Sequence, residues 1–306
     1  MGASWVDALL SQANVTYDVF IVDGQLSGDY GPTIDGVVTE PERRALINYT
    51  RLERGGRARS NNHGIEQSTG EVVLFLGDDQ VPGPGTVEAH ARFHAEHPEP
   101  TAVGIGPSVL AAFDKPRFGL WLRASARLYG ANVHHEATEI PDDFFYVANA
   151  SVKRSFLDAV GRFDERYPYH CWDDFEFGLR LREAGMVASL VPEAMTVHDH
   201  PITLRERSAS MVEAGMSAHV FESGRPGPHP WRPIVDRAPW LHRLRATAHL
   251  GRYVLSRDER ALSRYYRRVL DAGFSAGYRR ARGNGIAAGQ GSPGAFVGSA
   301  RKQLAE

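Results

Sequence analysis

The segment from Glu71 to Pro82, EVVLFLGDDQVP, constrains the fold of this 306-residue chain more than any other stretch. Five consecutive apolar residues lead through Gly77 to Asp78 and Asp79. Such a run, rich in Val and Leu, is typical of a strand buried on both faces of a parallel sheet. Ligands of α/β sheets bind at the carboxyl ends of the strands, where carboxylates suit Mg²⁺ or Mn²⁺ carrying a phosphate. An acidic turn after an ordinary strand explains the same residues equally well.

Helical and strand-like segments alternate through the first part of the chain. The pattern predicts a helix over 4–12, a strand over 17–23, a loop over 24–36, helices over 40–54 and 61–68, the strand from residue 71, a helix over 86–97 and a strand over 101–110. Because strand, helix and strand recur, and right-handed crossovers join parallel strands, we expect an α/β fold with a mostly parallel central sheet.

The later segments divide the chain into unequal parts. The pattern predicts a strand over 144–152, a helix with a turn over 155–168, helices over 173–186 and 201–221, and one or two short strands over 187–201. A Pro- and Gly-rich break follows at 224–233. Between residues 232 and 282 the chain holds thirteen Arg and only four acids. We therefore predict an α/β domain over 1–223, an Arg- and aromatic-rich helical extension over 224–283, and a flexible tail over 284–306.

The composition excludes several classes of protein. A net charge of −2 gives the whole chain no bias toward nucleic acid. Cys171 is the only cysteine, so an intrachain disulfide cannot form, which fits a reducing cytosol. No apolar run approaches the roughly 20 residues of a membrane span, and the N-terminal residues do not have the pattern of a secretory signal. We therefore expect a cytoplasmic protein.

Three acidic clusters lie at predicted strand ends or helix starts: Asp23, Asp78 with Asp79, and Asp173 with Asp174. The segments that carry them are YDVFIVDGQ, SNNHGIEQSTGEVVLFLGDDQVP and CWDDFEFGLRLREAG, and VHDHPITL follows. In this order and spacing they resemble the motifs of the inverting, nucleotide-sugar-dependent family 2 glycosyltransferases, which have the GT-A fold. The resemblance runs from about Trp5 to about Phe221 and implies transfer of a sugar from a UDP- or GDP-linked donor to a glycan or lipid-linked hydroxyl.

The resemblance also implies a divalent cation, Mn²⁺ or Mg²⁺, beneath the diphosphate. Asp79 matches the second acid of the family's DxD motif, whereas Gly77 stands at the position of the first. The remaining ligands would come from His198 or His200, although a single His near a strand end often has a structural role. The substitution at Gly77 makes the need for a metal an open question.

The resemblance assigns the base that deprotonates the acceptor to Asp174, with Asp173 where the family usually has Glu. Carboxylates at a helix N-terminus are also favoured by the helix dipole, so a capping role explains the same pair. Glu176 would support the site by hydrogen bonding. Trp172 would pack against a sugar face, or alternatively belong to the core.

Four residues are candidates for nucleotide binding. The resemblance implies that Asp23 binds the base, and Asp78 lies beside the metal position. Arg59 and Asn62 lie on the helix that would approach the diphosphate. Arg59 would replace the family's usual Arg, which is Asn61 here, or would be a solvated surface residue.

One departure from the family pattern concerns the opening strand, since this sequence begins at a point where the family's first strand would already have passed. We expect either that the start lies upstream or that another segment replaces that strand. A GT-A-like protein that binds without turnover is therefore the second hypothesis. A metal-dependent hydrolase using His134, His135 and Glu136 with the later His pair is the third, although their spacing fits no known signature.

The Arg-rich extension suggests a surface partner. Basic amphipathic helices gain from anionic headgroups, so we expect peripheral contact of residues 232–282 with the inner face of the cell membrane, and no nucleic acid. An ordinary helical extension packed on the core explains the same segment. Membrane contact would fit a role in cell-envelope polysaccharide biosynthesis.

Overall fold

The computed structural model describes residues 4–12, 14–24, 29–53, 56–111, 117–125, 145–167, 171–199 and 202–283. Its first half contains α1 (Ser4–Leu10), β1 (Val19–Asp23), α2 (Gly31–Val37), α3 (Pro41–Arg44), β2 (Ile47–Arg51), α4 (Arg57–Gln67), β3 (Val72–Leu76), β4 (Gln80–Pro82), α5 (Thr86–Glu96), β5 (Ala102–Ile105) and β6 (Ser108–Leu110). Its second half contains α6 (Arg117–Ala124), β7 (Asn149–Lys153), α7 (Arg154–Val160), α8 (Asp173–Glu183), β8 (Val187–Leu190), β9 (Thr196–His198), α9 (Leu204–Gly224), α10 (Arg232–Val235), α11 (Pro239–Ser256) and α12 (Glu259–Gly283).

The predicted α/β fold is confirmed, and its strand pairing is mixed. The described strands form the sheets β1-β2, β3-β7-β5-β8 and β4-β9-β6. Three of these six strand pairs are parallel and three are antiparallel. The sheet is less parallel than expected because β7 lies antiparallel between β3 and β5.

Two predictions of local structure are wrong. The helix expected over 40–54 is limited to α3, and the strand β2 follows it in parallel register with β1, with Ile47 opposite Val19. Ile47 and Tyr49 favour a strand because both pack into an apolar cluster, so tertiary contacts override the helical composition. The loop expected over 24–36 contains the start of α2, whose Ile34 is fully buried.

Two apolar clusters hold the α/β layers together. The larger one joins β3, β5 and β7 to α7 and α8 through residues such as Phe156 and Phe177, both completely buried. The second joins α1, β1, β2 and the side chains of Leu74 and Leu76. Within the part of the chain that the structure describes, β1 and β3 share this cluster without pairing to each other.

The C-terminal helices form a separate layer. α9 packs closely along α12, and α12 packs along α11. The contact between α9 and α12 is tight because a Cβ atom at Gly277 would lie 1.8 Å from the carbonyl oxygen of Val212. None of the described helices is both long enough and apolar enough to cross a membrane. The predicted tail over 284–306 lies outside the described residues.

Candidate active site

Asp79 and His198 meet where β4 pairs with β9. The antiparallel register places Gln80 opposite His198, and Asp199 donates its backbone N–H to the carbonyl oxygen of Asp79 at 2.9 Å. His198 Nε2 lies 2.9 Å from Asp79 Oδ2, although 118 residues separate the two motifs predicted from sequence. The His198 side chain is almost completely buried, and Asp79 remains about one third exposed. The structure thus brings together two of the three predicted metal ligands.

Gln80 holds the Asp79 carboxylate in place. Its side chain is completely buried and donates from Nε2 to Asp79 Oδ1 at 3.2 Å. The side-chain amide oxygen of Gln80, Oε1, accepts hydrogen bonds from the hydroxyl of Ser108 at 2.6 Å and from that of Thr196 at 2.8 Å. Because both acceptor directions are used, the amide is fixed with its donor toward Asp79.

The charge of Asp79 is maintained by its neighbours. Burial raises the pKa of Asp79, but the hydrogen bond and charge of His198, together with the hydrogen bond from Gln80, outweigh it and lower the pKa below its usual value. Asp79 is therefore ionised at neutral pH.

The Asp79–His198 pair also fits a divalent cation. Adjacent ligands of an octahedral ion at about 2.1 Å lie about 3.0 Å apart, close to the 2.9 Å between Asp79 Oδ2 and His198 Nε2. Carboxylate oxygen and imidazole nitrogen both suit Mn²⁺. Among the described residues, no group of three or more His, Cys, Asp or Glu side chains forms a complete metal site. His200, the third predicted ligand, lies outside the described residues.

Gly77 is fixed by its surroundings. A Cβ atom at this position would lie 2.9 Å from Asp79 Oδ1 and 3.0 Å from Gln80 Cγ. An acid at the first position of the motif would therefore press on the carboxylate that contacts His198. The departure from the family pattern is accommodated by the packing around Asp79.

The second acidic cluster lies at the N-terminus of α8, where Arg57 from the first turn of α4 contacts both carboxylates. Arg57 donates from Nε to Asp173 Oδ2 at 2.9 Å and from Nη2 to Asp173 Oδ1, and Nη2 lies 3.0 Å from Asp174 Oδ2. The Asp173 side chain is completely buried, whereas 20% of the Asp174 side chain is exposed. One cation therefore serves two carboxylates, of which only Asp174 is accessible.

The environment of Asp174 makes it more basic than an ordinary carboxylate. Burial raises its pKa, the charge of Arg57 opposes this, and the neighbouring charge of Asp173 raises the pKa further. The backbone N–H of Phe175 donates to Asp174 Oδ1 at 2.9 Å and orients the carboxylate. A carboxylate with a raised pKa and a fixed orientation is suited to accept a proton.

The two predicted sugar contacts have internal partners. Trp172, with φ of +73°, donates from Nε1 to the carbonyl oxygen of Ala214 at 2.9 Å, and its ring lies 4.6 Å from that of Trp231. Glu176 is buried and forms a salt bridge with Arg180 at 3.0 Å. Trp172 therefore packs in an aromatic cluster and Glu176 stabilises α8. Their contact with a sugar stays a prediction.

Asp23 and Asp78 lie where the sequence predicts them, at strand ends. Asp23 Oδ2 accepts from Tyr49 Oη at 2.9 Å and from the backbone N–H of Tyr30 at 3.1 Å, so the carboxylate is held at the end of β1. Burial and the carboxylates of Asp29 and Asp23 raise the pKa of Tyr49 to about 12, which keeps the phenol protonated as a donor. Asp78 is exposed in the turn between β3 and β4.

Arg59 and Asn62 face the α7–α8 connection. Arg59 forms a salt bridge with Glu165 at 2.9 Å. Asn62 is buried, donates to the carbonyl oxygen of Phe163 at 3.0 Å and accepts from the Phe163 N–H at 2.8 Å. These contacts fasten α4 to the connection, and the predicted nucleotide contacts of both residues stay predictions.

Other residues singled out from the sequence have simpler places. Burial raises the pKa of the Cys171 thiol to about 12, so it is protonated and behaves as a packing residue. His134, His135 and Glu136, on which the hydrolase hypothesis depends, lie outside the described residues.

Sequence reasoning missed Arg57 and Gln80. Gln80 directly follows the predicted acids, and an amide next to a carboxylate in the sequence is a recognisable signal, although its burial is visible only in the structure. Arg57 had no such signal, because Arg59, two residues later, matches the family motif better. The pairing of Arg57 with Asp173 spans 116 residues and depends on the packing of α4 against α8.

The mixed sheet, the acidic strand ends and the paired carboxylates at a helix start define a GT-A-type protein. Residues 3–212 match the family described as "Glycosyltransferase like family 2". This chain belongs to that family, as its motifs suggested.

Curated relatives share part of their length with this chain. An uncharacterized glycosyltransferase, YfnE, of Bacillus subtilis is 22% identical over 200 residues, covering 50% of this chain and 50% of the relative. The pre-mycofactocin glycosyltransferase of Mycobacterium tuberculosis is 29% identical over 168 residues, covering 53% of this chain and 34% of the relative. The chain therefore aligns with half or less of each of these proteins.

Solved structures show the same fold. The mannosyltransferase PcManGT of Pyrobaculum calidifontis, in complex with GDP-Man and Mn²⁺, is 18% identical with a TM-score of 0.54, and the match covers 90% of this chain and 83% of that one. GalNAc-T7 with UDP, GalNAc and Mn²⁺ is 13% identical with a TM-score of 0.51, covering 72% and 47%. At these identities the likeness establishes the fold.

Proposed function

We propose that the protein is an inverting glycosyltransferase that moves a sugar from a nucleoside diphosphate sugar to a hydroxyl of a glycan or lipid-linked acceptor. The observation that carries the proposal is the Arg57 contact with Asp173 and Asp174, which leaves one accessible carboxylate with a raised pKa at a helix start. Inverting transfer needs such a base, because the acceptor hydroxyl must lose its proton as it attacks. Membership of the family supports the same reaction class.

Asp174 would accept the proton. As the acceptor oxygen forms its bond to the anomeric carbon, the bond to the nucleoside diphosphate breaks on the opposite face, and the proton moves to the Asp174 carboxylate. Asp173 would act as a positioning residue, since it is buried and holds Arg57.

Asp79 and His198 would hold the divalent cation, with His200 as a further ligand. Bound there, Mn²⁺ or Mg²⁺ would serve as a Lewis acid and neutralise charge on the departing diphosphate. Two structures of the same fold were determined with Mn²⁺ together with a nucleotide or nucleotide sugar, which supports this assignment.

The donor would carry UDP or GDP, the nucleotides bound in those two structures. Asp23 would bind the base from the end of β1, with Tyr49 maintaining the orientation of its carboxylate. Asp78, exposed beside Asp79, would face the same ligand.

We also place the protein in the cytoplasm, in peripheral contact with the inner face of the cell membrane through residues 232–282. A lipid-linked acceptor would be met at that surface, as in cell-envelope polysaccharide biosynthesis. The thirteen Arg and four acids of the extension favour contact with anionic lipids.

Calorimetric titration with UDP and GDP, each with and without Mn²⁺, tests the nucleotide site. The wild-type protein should show Mn²⁺-dependent binding of one nucleotide, and Asp79→Asn should lose the dependence on Mn²⁺. Asp158→Asn, at an exposed position paired with Arg162, is the matched control and should bind like the wild type.

Turnover of nucleotide sugars is measured on the same proteins. Asp174→Asn should keep nucleotide binding but lower donor turnover about a hundredfold or more, as loss of a general base does. Failure of the folded protein to bind either nucleotide would contradict the proposal. Tight binding without turnover of any donor or acceptor would favour a catalytically impaired binding protein.

A further inference from the structure

The outer face of α11 carries large apolar side chains in an exposed position. Trp240, Leu244, Val254 and Leu255 have 66%, 60%, 58% and 89% of their surface exposed. They are four of the eight large exposed apolar residues among the described residues, and all four lie on one 18-residue helix. A stable globular helix would normally turn such residues inward.

These residues lie in one row along the helix and are not spread around its circumference. At 3.6 residues per turn, Trp240, Leu244 and Leu255 fall within about 60° of one another around the helix axis. The buried residues of α11, His242 and Ala246, lie on the opposite side, which faces α12. We call the exposed row the α11 stripe.

Arginines border the α11 stripe on both sides. Helical periodicity places Arg243 along one edge and Arg245 and Arg252 along the other, and all three are exposed. The sequence of α11 contains no Asp or Glu. Arg252 contacts Asp258 at 3.2 Å, whereas Arg243 and Arg245 have no carboxylate partner among the described residues.

The neighbouring helix α12 is also rich in arginine. Arg260, Arg264 and Arg267 form an exposed row at i, i+4 and i+7 on α12. On α11, burial and the charges of Arg264, Arg268 and Arg252 lower the pKa of His249. Positive charge therefore reaches the side of α11 that packs on α12.

We propose that the α11 stripe docks on a lipid bilayer that contains anionic lipids, with its apolar side chains in the interfacial region and the flanking arginines against the lipid phosphates. An exposed apolar face between basic rows is the pattern of helices that lie in a membrane interface. The proposal deepens the membrane contact of the proposed function by naming the helix face that makes it, and it rests on that function only for its biological purpose.

Charge complementarity favours a bilayer over other occupants. In a symmetric dimer through this helix, the arginines of the two copies would face each other without an acid on either α11, which disfavours association. A nucleic acid would satisfy the arginines but would leave the stripe exposed to water.

Co-sedimentation with vesicles, without donor or acceptor, tests the proposal independently of catalysis. The probes are vesicles of phosphatidylcholine alone and of phosphatidylcholine mixed with phosphatidylglycerol. We expect binding to the mixed vesicles only, weakened at high salt because the Arg contacts are screened. Arg243→Glu should weaken binding about fivefold or more, since each basic residue near such a surface contributes roughly a factor of five.

Variants with matched surface exposure distinguish binding through the α11 stripe from nonspecific adsorption to the vesicles. Leu244→Ser combined with Leu255→Ser should reduce binding about tenfold or more, since both side chains would leave the apolar interface. The controls are Val187→Ser, 60% exposed on β8, and Arg92→Glu, exposed on α5, which should bind like the wild type.

Three outcomes would overturn the proposal. One is equal binding to both kinds of vesicle, and another is equal loss in the stripe variants and their controls. The third is self-association in light scattering that the Leu244→Ser, Leu255→Ser variant abolishes, without vesicle binding by the wild type. An intact transferase that fails to bind vesicles would reject this inference and leave the proposed reaction standing.

Discussion

Replacing Arg57 with Ala should destabilise the protein through the two carboxylates that it leaves behind. Asp173 is completely buried and would lose both hydrogen bonds from the guanidinium, and Asp174 would lose the cation that lies 3.0 Å from its carboxylate. Removing one partner of a buried ion pair typically costs about 3–5 kcal/mol, because the remaining charge is desolvated without compensation. Since 28% of the Arg57 side chain is exposed, we expect the lower end, about 3 kcal/mol.

The loss should depend on pH in a defined direction. The charge of Arg57 now opposes the effect of burial on the pKa of Asp174, so its removal raises that pKa further. A carboxylate whose pKa is higher in the folded than in the unfolded protein binds its proton more tightly when folded. The cost of Arg57→Ala is therefore full above the folded pKa of Asp174 in the variant, and it shrinks as the pH falls from there toward the folded pKa of Asp174 in the wild type, which is raised to a smaller extent.

Urea unfolding at neutral and acidic pH gives the free energies of unfolding. Arg59→Ala is the matched control, since Arg59 lies on the same helix but pairs with Glu165 in an exposed bridge worth about 0–1 kcal/mol. Combining Arg57→Ala with Asp173→Asn should restore part of the stability. Equal losses for Arg57→Ala and Arg59→Ala, or a loss that grows at acidic pH, would refute this reasoning.

Three further predictions concern stability and the metal position. Burial lowers the pKa of His90 to about 4, so as the pH falls the unfolded chain binds a proton at this residue before the folded protein does. The free energy of unfolding should therefore fall by about 3 kcal/mol between pH 6.5 and 4. Urea unfolding of His90→Gln should show a flatter dependence on pH. Gly277→Ala should lower the free energy of unfolding by about 3 kcal/mol, because the added methyl group forces α9 and α12 apart. The control is Gly251→Ala, which should raise the melting temperature slightly, because no atom lies within 4 Å of the added methyl group. Equal effects of the two substitutions would contradict the packing argument. Gly77→Asp should weaken Mn²⁺-dependent nucleotide binding in calorimetry, because its Cβ displaces the Asp79 carboxylate. Tighter binding would show that the added acid helps the metal site more than the displacement of Asp79 harms it.

Local patterns predicted the carboxylates because strand ends and helix starts are visible in the sequence. The apolar run before Asp79 and the helical periodicity after Asp174 placed each residue at the correct end of its element. Partners were harder to predict. Arg57 and Arg59 are equivalent in composition and lie on one helix, and only the packing of α4 against α8 decides which of them meets Asp173.

The difference between local patterns and tertiary packing also explains the wrong prediction at β2. Residues 41–44 do form a helix, and nothing in the local composition signals that the chain then enters a strand. The decision is made by the register with β1 and by the burial of Ile47. Gln80 is a parallel case, because its hydrogen bonds come from Ser108 and Thr196, which are remote in sequence.

Asp173 and Asp174 are adjacent in sequence but differ in burial and in their contacts with Arg57. Asp173 uses both carboxylate oxygens on Arg57 and has no exposed surface, so a substrate hydroxyl cannot reach it. Asp174 contacts the same guanidinium through one oxygen and is partly exposed. Burial and the neighbouring charge of Asp173 raise the pKa of Asp174, so the partly exposed member of the pair is the one suited to accept a proton. The pairing of Asp173 with Arg57 therefore supports the proposal that Asp174 is the base, and sequence reasoning had no means to predict that contact.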